Sequence, residues 1–191
     1  MPNKRKRCKM CKEYTIAEEG TQTPAGFFCD HIHAMAWVNR KQNQARQKAV
    51  KAQHKADKER IKPKSKWLAE LQALVNKYVR LRDHAQGCIS CDKPSSWAGQ
   101  WHASHYHSRG HSAQLRFNLW NIHKGCSVCN SHLSGNIGQY TPRLIEKIGK
   151  EKVDWMESNK SQPKSYDVEW IKRAIKVTRK AIKREERKLI L

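Results

Sequence analysis

Two stretches of this chain set apolar residues at helical spacing. In the first, Leu71, Leu74, Val75, Tyr78 and Arg82 lie three and four positions apart. That spacing predicts a helix from Lys66 to about Asp83, with Ser65 as its N-cap and one face packed on a partner. In the second, Ile171, Ala174, Ile175, Thr178 and Ile182 recur between Asp167 and about Leu189, while Lys and Arg fill the other faces. One side of that helix docks and the rest stays cationic. A third stretch, Met35 to Lys62, is rich in helix formers and free of Gly and Pro until Pro63, yet beyond Val38 it carries no apolar stripe. Packing cannot hold such a helix, so it reads as an exposed arm. Residues 85 to 140 mix short β-compatible runs with Gly, Ser and Asn turns. After Pro142, "RLIEKIG" and "KEKVDWMES" read as two short helices, the first ending at Gly149. The pattern predicts a predominantly helical α+β chain, divided as 1–36, 37–64, 65–84, 85–140 and 141–191.

Composition sharpens the arm's meaning. Only 38% of residues are apolar and 29% are charged, which argues against one large core. Lys plus Arg number 39 against 17 acids, a formal charge of +22, and this balance favours a polyanionic partner, nucleic acid before membrane. No apolar run spans a bilayer, and "MPNKRKRCKMCKEY" lacks the apolar centre of a signal peptide. A cytosolic location is expected. Between Arg40 and Lys66 eleven basic residues face two acids, Asp57 and Glu59. Arg40, Lys41, Arg46, Lys48, Lys51 and Lys55 are therefore candidate phosphate contacts, although an exposed connector has the same composition.

Cysteine spacing adds two metal sites. In a reducing compartment seven cysteines are better read as metal ligands than as disulfides. Cys88-x2-Cys91-x34-Cys126-x2-Cys129 offers two knuckles to one tetrahedral zinc. Cys8-x2-Cys11-x17-Cys29-x3-His33 has a similar form, with His31 as a competing fourth ligand. His33 is favoured because its spacer lets it share a helical face with Cys29. Closed four-ligand shells hold structure and leave no position for chemistry.

Chemistry instead concentrates in "WHASHYHSRG", which carries His102, His105 and His107. Imidazoles near neutrality move protons and bind metals. A histidine follows the first knuckle, "NI" stands five residues before the second, and an Asn follows it directly, an order that resembles the HNH, or ββα-metal, endonuclease motif. With "QWHASHY", "LRFN", "NIHKGCSVCN" and "HLSGN", the chain resembles the lambdoid phage NinG family, also called Rap, over nearly its whole length. The resemblance implies a zinc-braced hairpin and helix around one catalytic divalent cation, in a structure-specific endonuclease acting on branched DNA such as Holliday junctions or D-loops. It assigns His105 as general base, Asn121 as the residue that orients it and Asn130 as a cation ligand. The second protein ligand is open among His102, His107 and His132. His102 stands where relatives can carry Asp and Ser104 where many HNH enzymes carry an acid, so manganese, zinc or nickel joins magnesium as a candidate. Arg109 and Arg116 are candidate phosphate contacts. Competing readings are a noncatalytic zinc-braced nucleic-acid binder and a sequence-specific HNH nuclease. The helices at 66–83 and 167–189 are candidate homodimer interfaces. Trp97, Trp101 and Trp120 read as core before base-stacking platforms.

Overall fold

The computed structural model describes residues 4–190, which form two compact units dividing after Lys62. In the first, β1 (Arg5–Arg7) pairs antiparallel with β2 (Tyr14–Ile16), and β3 (Thr21–Thr23) with β4 (Gly26–Phe28). The Cys8 to Cys11 knuckle closes the first hairpin, and Lys12 turns the chain there at φ 72°. Phe28 is buried, its ring 5.8 Å from Trp37. Helix α1 (His31–Arg60) starts four residues earlier than the sequence pattern indicates. The cause is Asp30, whose carboxylate accepts the His33 backbone N–H at 2.7 Å and caps the first turn. Residue 36, taken as the end of the zinc module, therefore falls inside a helix. No residue of α1 is buried, as the missing stripe implies.

In the second unit α2 (Lys64–Arg82) follows Pro63, which takes the N-cap position, so Ser65 lies within the first turn and does not cap it. Helix α5 (Val168–Lys188) is capped by Asp167, which accepts from Trp170 N at 2.6 Å. Trp67, Leu71, Val75 and Val79 of α2 bury against Ile171 and Ile175 of α5, together with Ile122 and Tyr166. The ion pairs Glu70 to Arg179 (2.6 Å) and Lys77 to Glu186 (2.7 Å) advance in one direction, so the helices run parallel. Their stripes meet each other within one chain.

Strands β5 (Trp101–His105) and β6 (Ile122–Cys126) pair antiparallel, with His105 opposite Ile122 and His102 opposite Gly125. A Cβ at Gly125 would lie 2.9 Å from that of Ser104, so only glycine permits this approach. After β6 the chain makes one wide helical turn, Val128–His132, and enters α3 (Ile137–Ile148). This helix starts before Pro142 and contains it, whereas the sequence suggested a start after it. Helix α4 (Lys150–Asn159) follows. Tyr140, Leu144, Val153 and Met156 form a second core with Ile89, Tyr106 and Leu115.

A buried carboxylate joins these parts. Asp83, at the C-terminus of α2, accepts from Arg82 Nε at 2.8 Å and Nη2 at 2.7 Å, and from the backbone N–H of Lys124 on β6 at 3.1 Å. Lys147 of α3 approaches to 3.3 Å. Burial alone would raise the Asp83 carboxyl, but the Arg82 hydrogen bonds and charge hold it below the ordinary carboxylate range. Among the described residues no helix is long and apolar enough to cross a membrane.

Candidate functional site

Both cysteine clusters assemble. The ligand atoms of Cys88, Cys91, Cys126 and Cys129 lie within 4.8 Å of one another, as do those of Cys8, Cys11, Cys29 and His33. Tetrahedral zinc with ordinary Zn–S bonds sets its sulfurs about 3.8 Å apart. Cys91 and Cys126 are 3.8 Å apart, and Cys11 and Cys29 are 3.7 Å apart. Backbone N–H groups point at the sulfurs, Cys126 N to Cys88 at 3.2 Å and Cys129 N to Cys126 at 3.4 Å, as suits thiolates. Without a cation the thiols compete. Burial and neighbouring thiols push Cys29 up to about 12, while backbone donors outweigh burial and bring Cys8 down to about 6. The two clusters could hold two structural zinc ions, whose charge would remove that conflict.

His33, not His31, completes the N-terminal set, with Nδ1 2.7 Å from Cys29. The geometry differs from a shared helical face: Cys29 precedes the N-cap, and the Asp30 cap turns His33 back towards it. The expected metal content is two zinc ions per chain. Cys11→Ser and Cys126→Ser should each release one, and the second should also loosen the hairpin, because Cys126 ends β6. Elemental analysis with circular dichroism checks this; a single-site variant that keeps both ions would remove that site.

Beside the four-cysteine cluster a cleft of about 540 Å³ is lined by His102, His105, Arg109 and Asn130, with Asn76 and Arg80 from α2. His105 is half-buried at the end of β5, and its Nε2 lies 3.3 Å from the Arg116 carbonyl. A carbonyl only accepts, so this contact calls for a proton on Nε2, and the Ala103 carbonyl is a second acceptor beside the ring. Burial pushes the ring down to about 4, against the raising effect of those carbonyls, so it is neutral at pH 7. The Asn130 amide nitrogen lies 3.0 Å from His102 Nδ1. Asn130 is therefore no helix cap; it stands inside the wide turn and bonds across to the hairpin.

Asn121 is fully buried and does not touch the His105 ring. Its Oδ1 accepts from His107 N at 2.8 Å, and its Nδ2 donates to the carbonyls of His107 at 3.0 Å and Leu115 at 3.1 Å. It fixes the backbone of the loop that leaves β5. His107 turns away from the cleft, its Nε2 3.2 Å from Glu157 of α4, and His132 is exposed on the wide turn. Neither lines the cleft with Asn130; of the three candidate partners His102 does. Arg109 lines the cleft, whereas the Arg116 guanidinium donates to buried Gln72 at 3.2 Å. Arg40, Lys41, Arg46, Lys48, Lys51 and Lys55 are all exposed on α1.

Trp97 and Trp101 pack on the cysteine cluster. Trp120 departs from its core reading: it is 40% exposed and stacks edge-on against Trp155 at 5.7 Å. Asn76, Arg80 and Asp83 escaped the sequence reading because single polar residues on an amphipathic helix look like solvated positions. The internal position of Asn76 and the terminal position of Asp83 were the only hints.

The Bacteriophage Lambda NinG protein family matches residues 1–188. The chain is 38% identical over 169 residues to protein ninG of Escherichia phage 933W, covering 81% of each chain. It is 48% identical over 99 residues to protein ninG of Escherichia phage lambda, covering 52% of this chain and 48% of that one. Protein ninG of Salmonella phage P22 is 46% identical over 99 residues, with the same coverage. No solved structure matches the chain.

Proposed function

Because this chain belongs to the Bacteriophage Lambda NinG protein family, we propose that it is a metal-dependent, structure-specific DNA endonuclease of HNH type. Its proposed substrates are branched recombination intermediates such as Holliday junctions or D-loops, in which it hydrolyses phosphodiester bonds. One observation carries the reading: a neutral, half-buried imidazole shares a cleft with the His102 and Asn130 pair.

The pair fits a divalent cation. Two polar side chains from separate elements meet at 3.0 Å, about the separation of neighbouring ligands around a small ion with bonds near 2.1 Å. His102 and Asn130 would hold the ion, the Asn amide turned over so that its oxygen takes the place of the nitrogen that faces His102. When bound, it supplies positive charge to the phosphate and the leaving oxygen. An imidazole in this set favours a transition metal such as manganese over magnesium.

The chain's own groups do the rest. His105 Nδ1 accepts the proton of the attacking water, and the Arg116 carbonyl holds the opposite ring edge in place. Asn121 keeps the loop after β5 rigid. Arg109 places positive charge where the phosphate gains negative charge. The exposed bases of α1 add affinity for backbone without sequence preference.

The reading is tested on a synthetic four-way junction, beside linear duplexes of matched length and varied sequence, with magnesium, manganese or no added metal. Metal-dependent cutting of the junction over every duplex is expected. No cutting with magnesium, manganese, zinc or nickel would leave a noncatalytic binder, and cutting of one duplex sequence would indicate a sequence-specific nuclease.

Acid should remove activity late. Because burial lowers the His105 ring to about 4, the base form persists below the ordinary imidazole range and is lost as pH falls through that value. kcat/KM reports the free enzyme, so its acid limb should lie well below pH 6.5, with zinc content followed in parallel. A limb at 6.5 or above would mean a solvated ring.

A further inference from the structure

Among the described residues no carboxylate lines the cleft. Much of its polar lining donates, and two of the donors come from α2, outside the hairpin that carries the nuclease motif. Asn76 and Arg80 stand four apart on α2, hence on one face. Asn76 does not rotate freely. Its Oδ1 accepts from Gln72 Nε2 at 2.9 Å, and Gln72, 4% exposed, is itself held by Arg116 Nε at 3.2 Å. The amide oxygen is thereby engaged from below, which leaves the two hydrogens on Nδ2 for the cleft. Arg80 is exposed and has no acidic partner among the described residues. A buried glutamine on an otherwise apolar helix face is costly unless its bonds are made. Here both its ends are used to set Asn76 and the Arg116 segment, whose carbonyl holds His105.

We propose that α2 forms a second phosphate-binding wall of this cleft, in which Arg80 and the Asn76 amide hold a nucleic-acid backbone phosphate beside the one addressed by His105. The inference rests on the nuclease reading and extends it to residues outside the motif. Two phosphates gripped from two elements fix the strand's path, so the scissile bond is presented in one register.

The test measures binding of a labelled four-way junction across a salt series, with every variant made in a His105→Ala background so that nothing is cut. Arg80→Ala should weaken binding about ten- to a hundredfold, the range of a charge-assisted bond to phosphate, and lower the slope of log affinity against log salt by about one. Arg80→Lys should keep the slope. Asn76→Asp should weaken binding more than Asn76→Ala, because a carboxylate would face the phosphate. Lys77→Ala, which removes one charge already paired with Glu186, should change neither quantity. If the parent binds junctions and Arg80→Ala behaves like Lys77→Ala, the α2 wall is wrong while the nuclease reading stands. If the parent binds no DNA at any salt, the nuclease reading fails and the wall with it.

Discussion

Replacing His105 by Ala is expected to reduce cleavage of a four-way junction by about 10²- to 10⁴-fold, the usual contribution of a positioned general base, while junction affinity stays nearly unchanged. The separation follows from what the ring touches. It is one neutral group in a cleft that also holds Arg80 and Arg109, and most of the affinity would come from cationic residues elsewhere on a chain of formal charge +22. Its side-chain hydrogen bond to the Arg116 carbonyl is long at 3.3 Å, so folding should survive the loss. Asn121→Ala should behave differently. It strips partners from His107 N and from two carbonyls of the loop after β5, costing stability as well as activity. Single-turnover cleavage, junction binding and thermal unfolding of the two variants tell these apart. If His105→Ala still cuts at a rate near that of the parent, the imidazole is not the base and the mechanism falls.

Replacing Asp83 by Ala should destabilise the second unit by about 3–5 kcal/mol, the cost of removing one partner from a buried ion pair. The Asp83 side chain is 2% exposed and Arg82 23% exposed, so Arg82 would lose both carboxylate bonds with little water to replace them. Lys147 and the Lys124 N–H would lose theirs too. Because the folded-state carboxyl lies below its ordinary range, its contribution is fully present above the unfolded carboxyl's pKa and is lost as pH falls below about 4. Urea unfolding of the zinc-loaded protein measures the cost. The double variant Asp83→Ala/Arg82→Ala should lose clearly less than the sum of the single variants, since the second removes the stranded charge. Simple additivity would show that the pair does not act as a unit.

Much of this could be read from residues close together in the chain. The stripes of α2 and α5 were legible because a helix that buries one face must repeat every three to four residues, and the emptiness of α1 was legible from the lack of that repeat. The cysteine pairs were legible because two thiolates reach one ion only across a tight turn. His33 over His31 was also settled correctly, though by a cap at Asp30 rather than by a shared helical face. Pro142 misled, since a proline inside the second turn of α3 looks in sequence like a start signal.

The sequence by itself determined the helical periodicities, the two cysteine-rich groups that could hold zinc and the basic surface, because each depends on local spacing or on summed charge. Only the tertiary structure decided which histidine meets Asn130, that Asn121 bonds backbone groups, that α2 and α5 run parallel, that Asn76 and Arg80 line the cleft and that Asp83 is buried. Those outcomes depend on burial and on partners as far as 109 positions away, as between Glu70 and Arg179. A polar side chain at a given position reads the same whether water or another chain segment will stand opposite it.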